Sequence, residues 1–421
     1  MRKVILLGAG ASVPFGIPDM KGFVDGFEKY LSSIDEQNLC DFLEEIENAL
    51  QNSQRLIGTK IEFDLESLMI VLQDLTSKDR PISIPTLAFM IYLMSKKDKK
   101  IGTYNIANVR KAYRRRPPRL LRNLRRYVFE MCMKPINEGQ LAKYGFSFLD
   151  KFYGPLFLSM GKGDANANTI QWIFTTNWDL CLKQWLEYAR LGFEDGTILD
   201  RQRKAVLAPS LGWSSTNVQV VPLHGSLDLI RKTRHLAKKP YEDIQKVTAP
   251  ETYFKGNPSE LSHAFIIYPL EAVGYEQSVR SPYLDMLNLL KQALKTEREV
   301  FVIGFSFRDS TIASIFDEAV RARVQQDEEK YLKFFLINRS PETVIENLLR
   351  QGYANIGRTL IPVKISFPDI EGGTSTEIRS AMSKVTDSLL KEMQTAGILI
   401  DKMGVAKILV ERYGLSFPSI Q

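Results

Sequence analysis

Two polar side chains of this 421-residue chain stand where a ligand could be held and altered, because each directly follows a short apolar run. Asn177 comes soon after Trp172-Ile173-Phe174, and its amide can orient a water molecule or a hydroxyl group. His224 comes after Val218 to Leu223, and a histidine that titrates near neutrality can accept a proton from a hydroxyl or a water. Open α/β sheets bind ligands at such strand ends, so both residues are candidates for a reaction site. On the residues alone, a helix cap for Asn177 and a structural role for His224 remain the alternatives.

A glycine turn, Gly8-Ala9-Gly10, follows the first apolar run, Lys3 to Leu7. A strand, a glycine turn and then a helix form a common pyrophosphate site. The glycines let the backbone approach the ligand, and free N–H groups with the positive end of the helix face the anion. A purely structural turn is the alternative at this point.

Six apolar runs without polar alternation indicate parallel strands that are buried on both faces. Helix-period segments separate most of them, and this alternation is typical of α/β proteins with a Rossmann-like, doubly wound parallel sheet. The runs are Lys3 to Leu7, Trp172 to Phe174, Val218 to Leu223, Ala264 to Tyr268, Val300 to Ile303 and Phe334 to Ile337.

The pattern between the first two runs is helical, which predicts a large helical insertion at about 28–168 within a domain spanning 1–345. Residues 346–421 are predicted to form a C-terminal appendage, because one further apolar run, Leu360 to Phe367, is followed by helix-like stretches at Glu377 to Met393 and Lys402 to Glu411. Amphipathic helices there could join subunits.

The chain has only three cysteines, Cys40, Cys132 and Cys181, so neither a disulfide framework nor a cysteine zinc site can be built. Its longest apolar run, Leu87 to Met94, is far shorter than the roughly 18 residues that a membrane span needs. The expectation is a cytoplasmic protein without a signal peptide or membrane anchor.

Residues 8–19, GAGASVPFGIPD, resemble the sirtuin signature G-A-G-x-S-x-x-x-G-I-P-D at every fixed position. Four further elements follow in the order that sirtuins have. TTNWD at 175–179 resembles T-Q-N-x-D, and His224-Gly225 resembles the catalytic histidine-glycine pair. Gly304-Phe305-Ser306 resembles G-T-S, and Ile337-Asn338 resembles the late I-N pair.

The resemblance implies NAD as the ligand, with Asn177 at the nicotinamide ribose, Asp179 at the nicotinamide carboxamide and His224 as the catalytic base. The other implied NAD-binding residues are Gly8, Ala9, Gly10, Ser12, Asp19, Gly304, Ser306 and Asn338. Structural alternatives stay open for some of them. Asn177 and Asp179 could cap a helix that begins near Trp178, and Ser306 and Asn338 could be turn residues.

Departures from the sirtuin pattern narrow the implied reaction. Sirtuin deacylases carry a four-cysteine zinc ribbon after the histidine, whereas no cysteine lies between His224 and Gly304. Met20-Lys21 stands where sirtuins usually have Phe-Arg. Water is then the expected acceptor and no metal is required. The resemblance is to the zinc-free, sirtuin-like NAD hydrolases of bacterial anti-phage defence, which release nicotinamide and ADP-ribose.

The basic residues are concentrated in one segment. Residues 96–126 hold thirteen Lys/Arg against a single Asp, a local charge of +12, so from a total of +7 the rest carries about −5. This segment could bind nucleic acid or an acidic partner surface, or it could be a solvated helix face. His235 and His263 match no motif and are interpreted as structural or surface residues.

An enzyme that destroys NAD needs a switch, so assembly is expected. The resembled proteins work as homo-oligomers or with a HerA-like ATPase or a short Argonaute. Two alternatives remain at this stage: an NAD-dependent deacylase or ADP-ribosyltransferase, and a non-catalytic subunit that senses NAD or ADP-ribose or binds nucleic acid.

Overall fold

The computed structural model describes most of the chain up to Lys364. The described residues are 3–13, 16–76, 82–96, 105–137, 172–199, 205–208, 213, 218–232, 243–256, 264–266, 282–297, 299–325 and 333–364. The helix-like stretches expected at Glu377 to Met393 and Lys402 to Glu411, and both His235 and His263, lie outside these residues.

A seven-stranded parallel sheet forms the centre of the described structure. The strands are β1 (Lys3–Leu7), β2 (Trp172–Thr175), β3 (Phe193–Glu194), β6 (Val218–Pro222), β10 (Glu299–Ile303), β11 (Lys333–Asn338) and β12 (Leu360–Lys364). Their order in the sheet is β12-β11-β10-β1-β2-β6-β3, so the sequence prediction of a doubly wound α/β fold is confirmed.

The central strand β1 shows why its sequence is apolar without alternation. Ile5 and Leu7 enter one hydrophobic core and Val4 and Leu6 enter the other, on the opposite side of the sheet. All four residues are at most 1% exposed. Both faces of the strand are therefore buried by helices, as parallel sheets require.

Helices fill the described parts of the long connection between β1 and β2. They are α1 (Met20–Ser33), α2 (Gln37–Gln51), α3 (Ser53–Ile57), α4 (Leu65–Thr76), α5 (Ile84–Ser95), α6 (Ile106–Ala112) and α7 (Arg116–Asn137). Aromatic rings join them. Tyr127 of α7 lies 5.6 Å from Phe27 and 5.2 Å from Tyr30 of α1, measured between ring centroids.

After β2 come α8 (Cys181–Tyr188), α9 (Pro250–Gly256), α10 (Tyr283–Thr296), α11 (Ser310–Val324), α12 (Pro341–Arg350) and α13 (Ala354–Thr359). The predicted boundary at 345/346 falls within α12, and the parallel sheet continues beyond it to Lys364 through β12. The division of the chain into domains stays a prediction. In the part of the chain described, no helix is both long and apolar enough to span a bilayer.

A second, antiparallel sheet was not predicted. Its strands are β4 (Thr197–Leu199), β5 (Ala205–Leu207), β7 (Gly225–Lys232), β8 (Asp243–Lys246) and β9 (Ala264–Ile266), in the order β4-β5-β8-β7-β9. The run Ala264 to Tyr268, predicted to be a parallel strand, instead supplies β9, which pairs with β7. Assigning it to the parallel sheet was wrong, because a short apolar run carries no sign of the sheet that it joins.

The order in which strands are added to the parallel sheet reverses at β1. Strands β2, β6 and β3 lie on one side of it, and β10, β11 and β12 lie on the other. The connections on the two sides diverge at the carboxyl ends of β1 and β10. That switch point is where open α/β sheets bind ligands, and the residues just after the two strands are Gly8 and Gly304.

Candidate active site

The two glycine turns at the switch point pack directly on each other. A Cβ atom added to Gly8 would lie 2.6 Å from the carbonyl oxygen of Gly304, and one on Gly304 would lie 2.3 Å from the backbone nitrogen of Ala11. Gly304 also has a φ of +63°, which favours glycine. The glycines are therefore required for a backbone contact between the ends of β1 and β10.

This contact uses N–H groups that the sequence analysis assigned to an anion. The N–H of Gly8 donates to Ile303 O at 2.9 Å, and that of Gly10 donates to Gly304 O at 3.0 Å. The turn continues as a 3₁₀ helix of only three residues, Ala9–Ala11, and α1 begins later, at Met20. The expectation of a helix directly after the turn was wrong at this point, since Asp19 caps α1 by accepting from the N–H of Gly22 at 2.8 Å.

An open cleft of about 670 Å³ lies beside the turns. Six of the predicted NAD-binding residues line it: Ala9, Gly10, Asp19, Gly304, Ser306 and Asn338. The helical segment forms the opposite wall, with both acids and bases. The cleft has the size and position expected for a dinucleotide.

Ser12 joins the glycine turn to the segment after β2. Its hydroxyl donates to Asp179 Oδ2 at 2.7 Å and accepts from Asn177 Nδ2 at 2.8 Å. Ser12 is 1% exposed, so both bonds are shielded from water. Three residues that the sequence analysis placed in one site are therefore in direct contact.

One polar atom of this cluster lacks a partner. The Oδ1 atom of Asn177 is buried and, within the described residues, meets no hydrogen-bond donor. Leaving such an atom unsatisfied costs about 1–3 kcal/mol. Asn177 and Asp179 line a cavity of about 10 Å³, which is the space of one water. The amide is thus held by Ser12 with its oxygen free to accept a bond from a ligand hydroxyl or a water.

Asp179 uses both of its carboxylate oxygens in hydrogen bonds. Its Oδ1 accepts from the N–H of Cys181, the first residue of α8, at 3.0 Å. Asp179 therefore bonds the first backbone N–H of α8, although the N-cap residue is Leu180, whereas the side chain of Asn177 bonds Ser12. Burial raises the pKa of the Asp179 carboxyl although Ser12 and Cys181 donate to it.

Two buried thiols, Cys181 and Cys132, are electrostatically coupled to Asp179. Burial, and then the charge of Asp179, raises the pKa of both thiols well above the ordinary value. Both therefore stay protonated at neutral pH. Neither is suited to act as a thiolate nucleophile.

His224 lies on the turn between β6 and β7 and pairs with a residue that the sequence analysis missed. Its Nε2 atom is 2.8 Å from Oδ2 of Asp309, and the two side chains are only 4% and 9% exposed. The other carboxylate oxygen of Asp309 accepts from the N–H groups of Thr311 and Ile312 and so caps α11. Sequence signals could reveal the cap, but not a pair 85 residues apart.

The pair determines which nitrogen of His224 can act as a base. Burial alone would raise the pKa of Asp309, but His224 and the amides of Ile312 and Thr311 hold it below its ordinary value. An ionised carboxylate only accepts hydrogen bonds, so Nε2 carries a proton and Nδ1 is the nitrogen left to accept one. The hydroxyl of Tyr283 on α10 is also nearby, and burial followed by the charge of Asp309 raises its pKa.

The loop between β10 and α11 presents its residues alternately to the core and to the cleft. Phe305 and Phe307 are buried, with ring centroids 5.0 Å apart, whereas Ser306 and Arg308 are exposed and line the cleft. Phe307 has a φ of +56°, a strained conformation for a bulky side chain that its packing must hold in place. Asn338 donates to Phe305 O at 3.2 Å and steadies the same loop.

Arg308 connects this loop to the helical segment across the cleft. Its guanidinium forms ion pairs with Asp64 and Glu62. Burial alone would lower the pKa of Arg308, but Asp64, Glu62 and Glu66 hold it above its ordinary value. Asp64 also caps α4 by accepting from the N–H of Ser67 at 3.0 Å, so its position is fixed. The sequence analysis missed this contact, which joins residues more than 240 positions apart.

A buried ionic network lies next to the small cavity at Asn177. Lys183 of α8 lines that cavity and donates to Asp228 Oδ2 at 2.8 Å, and it lies 3.1 Å from Asp195 Oδ2. Lys246 also donates to Asp195, at 2.7 Å. Lys183, Asp195 and Asp228 are all less than 8% exposed. The network ties α8 to β7 and β8 of the antiparallel sheet.

The predicted residues thus fall into four groups. Six line the open cleft. Ser12, Asn177 and Asp179 form a hydrogen-bonded cluster behind it, and His224 is buried with Asp309. Gly8 lies beneath the cleft, against Gly304 and Phe305. Among the residues that the structure describes, no cluster of three or more His, Cys, Asp or Glu side chains could hold a metal ion.

Comparison with known proteins found one matching family model and similar solved structures. Residues 171–355 match the family model described as a SIR2-like domain, and this segment contains Asn177, His224, Asp309 and Asn338. A solved structure described as "Structural Basis for the Mechanism and Regulation of Sir2 Enzymes" aligns over 94% of this chain and 93% of its own, at 12% identity with a TM-score of 0.31. No curated protein matches the chain.

Proposed function

We propose that the chain is a regulated NAD hydrolase, which cleaves the nicotinamide–ribose bond and releases nicotinamide and ADP-ribose. The observation that carries the proposal is the orphaned Oδ1 of Asn177, held by Ser12 immediately behind a cleft of dinucleotide size. A buried amide oxygen without a donor is suited to accept a hydrogen bond from a bound ligand, which would remove the cost of leaving it unsatisfied.

In this proposal, the open cleft and the cluster of Ser12, Asn177 and Asp179 bind different parts of NAD. In this proposal the ADP part lies in the open cleft, where Gly10, Ser306 and Asn338 form one wall. The nicotinamide ribose reaches Asn177. The cavity at Asn177 has space for about one water, so side chains around it must move when the ribose enters.

The chemistry follows from the groups present. As the bond from the ribose C1′ to the nicotinamide nitrogen breaks, positive charge develops on the ribose, and fixed dipoles stabilise that charge. The Oδ1 atom of Asn177 accepts a hydrogen bond from the attacking water or a ribose hydroxyl. His224 accepts the proton at Nδ1 while Asp309 stabilises the imidazolium. One water and NAD⁺ thus give nicotinamide, ADP-ribose and one proton.

Water is favoured as the acceptor over an acyl-lysine peptide. Sirtuin deacylases use a four-cysteine zinc ribbon in forming their peptide cleft, and the chain has no cysteine between His224 and Gly304. Deacylation and ADP-ribosyl transfer are therefore the alternatives that the experiment must test.

Regulation is part of the proposal, because free NAD hydrolysis would harm the cell that makes the enzyme. His224 is 3% exposed, and the pair with Asp309 is buried, which is consistent with a resting state. We propose a role in bacterial anti-phage defence, as a homo-oligomer or with a HerA-like ATPase or an Argonaute-type protein. Light scattering, alone and with such partners, measures assembly, and a fully active monomer would contradict it.

The decisive experiment follows nicotinamide and ADP-ribose by chromatography after incubation of the purified chain with NAD, alone and with candidate partners. We expect release by the parent protein and its loss in both Asn177→Ala and His224→Ala. The matched control is Asn355→Ala, which removes another part-buried amide, one that bonds Asp317 far from the cleft. Release only in the presence of an acetylated peptide would replace the hydrolase with a deacylase. Binding of NAD without release under every condition would make the chain a sensor.

A further inference from the structure

The outer surface of α6 and α7 is strongly basic. From 105 to 129 the sequence holds nine Lys/Arg and no Asp/Glu. Four of the arginines, Arg115, Arg119, Arg122 and Arg126, recur at spacings of four, three and four residues. This spacing places them along one side of a helix, and all four are exposed.

The opposite side of α7 packs in the hydrophobic core. Leu120, Leu124 and Val128 are at most 2% exposed, and Tyr113 and Tyr127 are 3% and 6% exposed. The two tyrosines that lie among the arginines in sequence are therefore buried, although Arg116 lies over the ring of Tyr113. Among the described residues of this segment, the exposed side chains are therefore mostly cationic, and neither tyrosine is one of them.

Most of these cations have no carboxylate partner. Arg119 pairs with Glu36 and Arg126 pairs with Glu130, while Arg110 turns inward to the carbonyl of Asp74. Arg116 lies over the ring of Tyr113. Within the described residues, no acid pairs with the remaining five cations: Lys111, Arg114, Arg115, Arg122 and Arg125.

We propose that this basic face binds the phosphate backbone of double-stranded nucleic acid. The arginines of α7 from 116 to 126 span about 15 Å of helix, along which a duplex presents roughly nine phosphate charges. Arginine binds phosphate with two parallel hydrogen bonds. This inference is independent of the proposed NAD hydrolysis.

The burial pattern distinguishes a duplex from other polyanions. Proteins that hold single strands stack bases on exposed aromatic rings, and here the rings of Tyr113 and Tyr127 are buried. A helix that lies on a membrane needs an accessible apolar side, and the apolar side of α7 packs within the protein. Backbone contacts alone give sequence-independent binding with strong dependence on salt.

Fluorescence anisotropy with a labelled 20-base-pair duplex tests the proposal on the full chain. The test variant is R114A/R115A/R122A, and the control is R55A/R321A/R350A, which removes three exposed arginines elsewhere and so carries the same net charge. We expect the test variant to bind at least tenfold more weakly at low salt. Its plot of log affinity against log salt should be shallower by about three units, while the control behaves as the parent does. Matching circular dichroism melts establish that both variants are folded.

In solution, the proposal would be overturned by no duplex binding by the parent, by equal losses in both variants, by tighter binding to a single strand, or by displacement by polyglutamate at the same charge concentration as duplex. The last result would identify an acidic protein as the partner. Vesicle binding of the parent, lost only in the test variant, would identify a membrane instead and equally contradict the duplex.

Discussion

The imidazole of His224 and the carboxylate of Asp309 form a buried pair, with Nε2 2.8 Å from Oδ2. The pair joins the turn between β6 and β7 to the first turn of α11, so one carboxylate both caps a helix and orients the proposed catalytic base. The two roles can be separated, because asparagine caps a helix nearly as well as aspartate does but carries no charge.

Asp309→Asn should therefore reduce NAD hydrolysis by up to about 10²-fold while changing the melting temperature little. The reason is that an amide can bond either nitrogen form of His224, whereas the carboxylate selects the form protonated at Nε2. Initial rates across pH and the thermal melt provide the measurements.

A second readout of the same variant does not depend on hydrolysis. The chain has only three histidines, so ¹⁵N spectra can assign the His224 ring. We expect Nε2 protonation in the parent and a mixture of tautomers in Asp309→Asn. Asp309→Ala, which loses the cap as well, should cost about 1 kcal/mol more in stability than Asp309→Asn. Identical spectra of parent and Asp309→Asn would show that the carboxylate does not position the ring.

Gly304 offers a second prediction, because its backbone contact can be separated from its conformation. Gly304 and Gly352 both have positive φ, +63° and +89°, but a Cβ on Gly352 would meet nothing within 4 Å. Gly352→Ala should lose about 1 kcal/mol of unfolding free energy through strain alone. Gly304→Ala should lose on the order of 3 kcal/mol or more, since its Cβ would displace the backbone of Ala11. Urea denaturation compares the two, and equal losses would mean that the turns do not need their close contact.

The sequence predicted those parts of the structure that depend on local patterns. Continuous apolar runs identified β1, β2, β6, β10 and β11, because a strand buried on both faces needs an apolar residue at every position. The same reasoning placed Asn177 and His224 at strand ends. Ser12, Asn177 and Asp179 were assigned to one site from a family resemblance, and their hydrogen bonds follow that assignment.

Those local patterns could not predict side-chain contacts between residues that are distant in the sequence. The local sequence can indicate that Asp309 caps a helix, but it cannot indicate that the second carboxylate oxygen of Asp309 contacts His224. Arg308, Asp64 and Lys183 are ordinary charged residues until the fold brings their partners close. The antiparallel sheet escaped prediction because β4, β5 and β9 have only three residues each, too few for alternation to be recognised.

The ionic network at Lys183 provides a third prediction. Burial alone would lower the pKa of Lys183, but Asp228 and Asp195 hold it above its ordinary value, so the lysine is charged in the folded protein. Lys183→Met would leave two buried carboxylates poorly compensated and should cost about 3–5 kcal/mol of unfolding free energy.

Two companion variants make that prediction specific. Lys246→Met removes the more exposed cation, whose side chain is 26% exposed, and should cost about 1 kcal/mol. Lys183→Met/Asp228→Leu should recover part of the loss, because apolar side chains can replace a buried pair. If Lys183→Met unfolds no more readily in urea than Lys246→Met, the network contributes nothing beyond a surface contact.

Asp195 makes the free energy of unfolding depend on pH, and the direction of that dependence follows from its pKa. Burial alone would raise the pKa of this carboxyl, but Lys183 and Lys246 hold it far below its ordinary value. A carboxyl whose pKa is lower in the folded state contributes its full stability above the unfolded pKa, about 3.9, and loses it as the pH falls toward the folded pKa. Unfolding free energy should therefore decline below about pH 4.

Asp195→Asn should be less stable at pH 7, and its decline below pH 4 should be shallower than that of the parent. Urea titrations between pH 7 and pH 3 measure both quantities, and parallel curves for the two proteins would show that Asp195 does not cause the acid sensitivity.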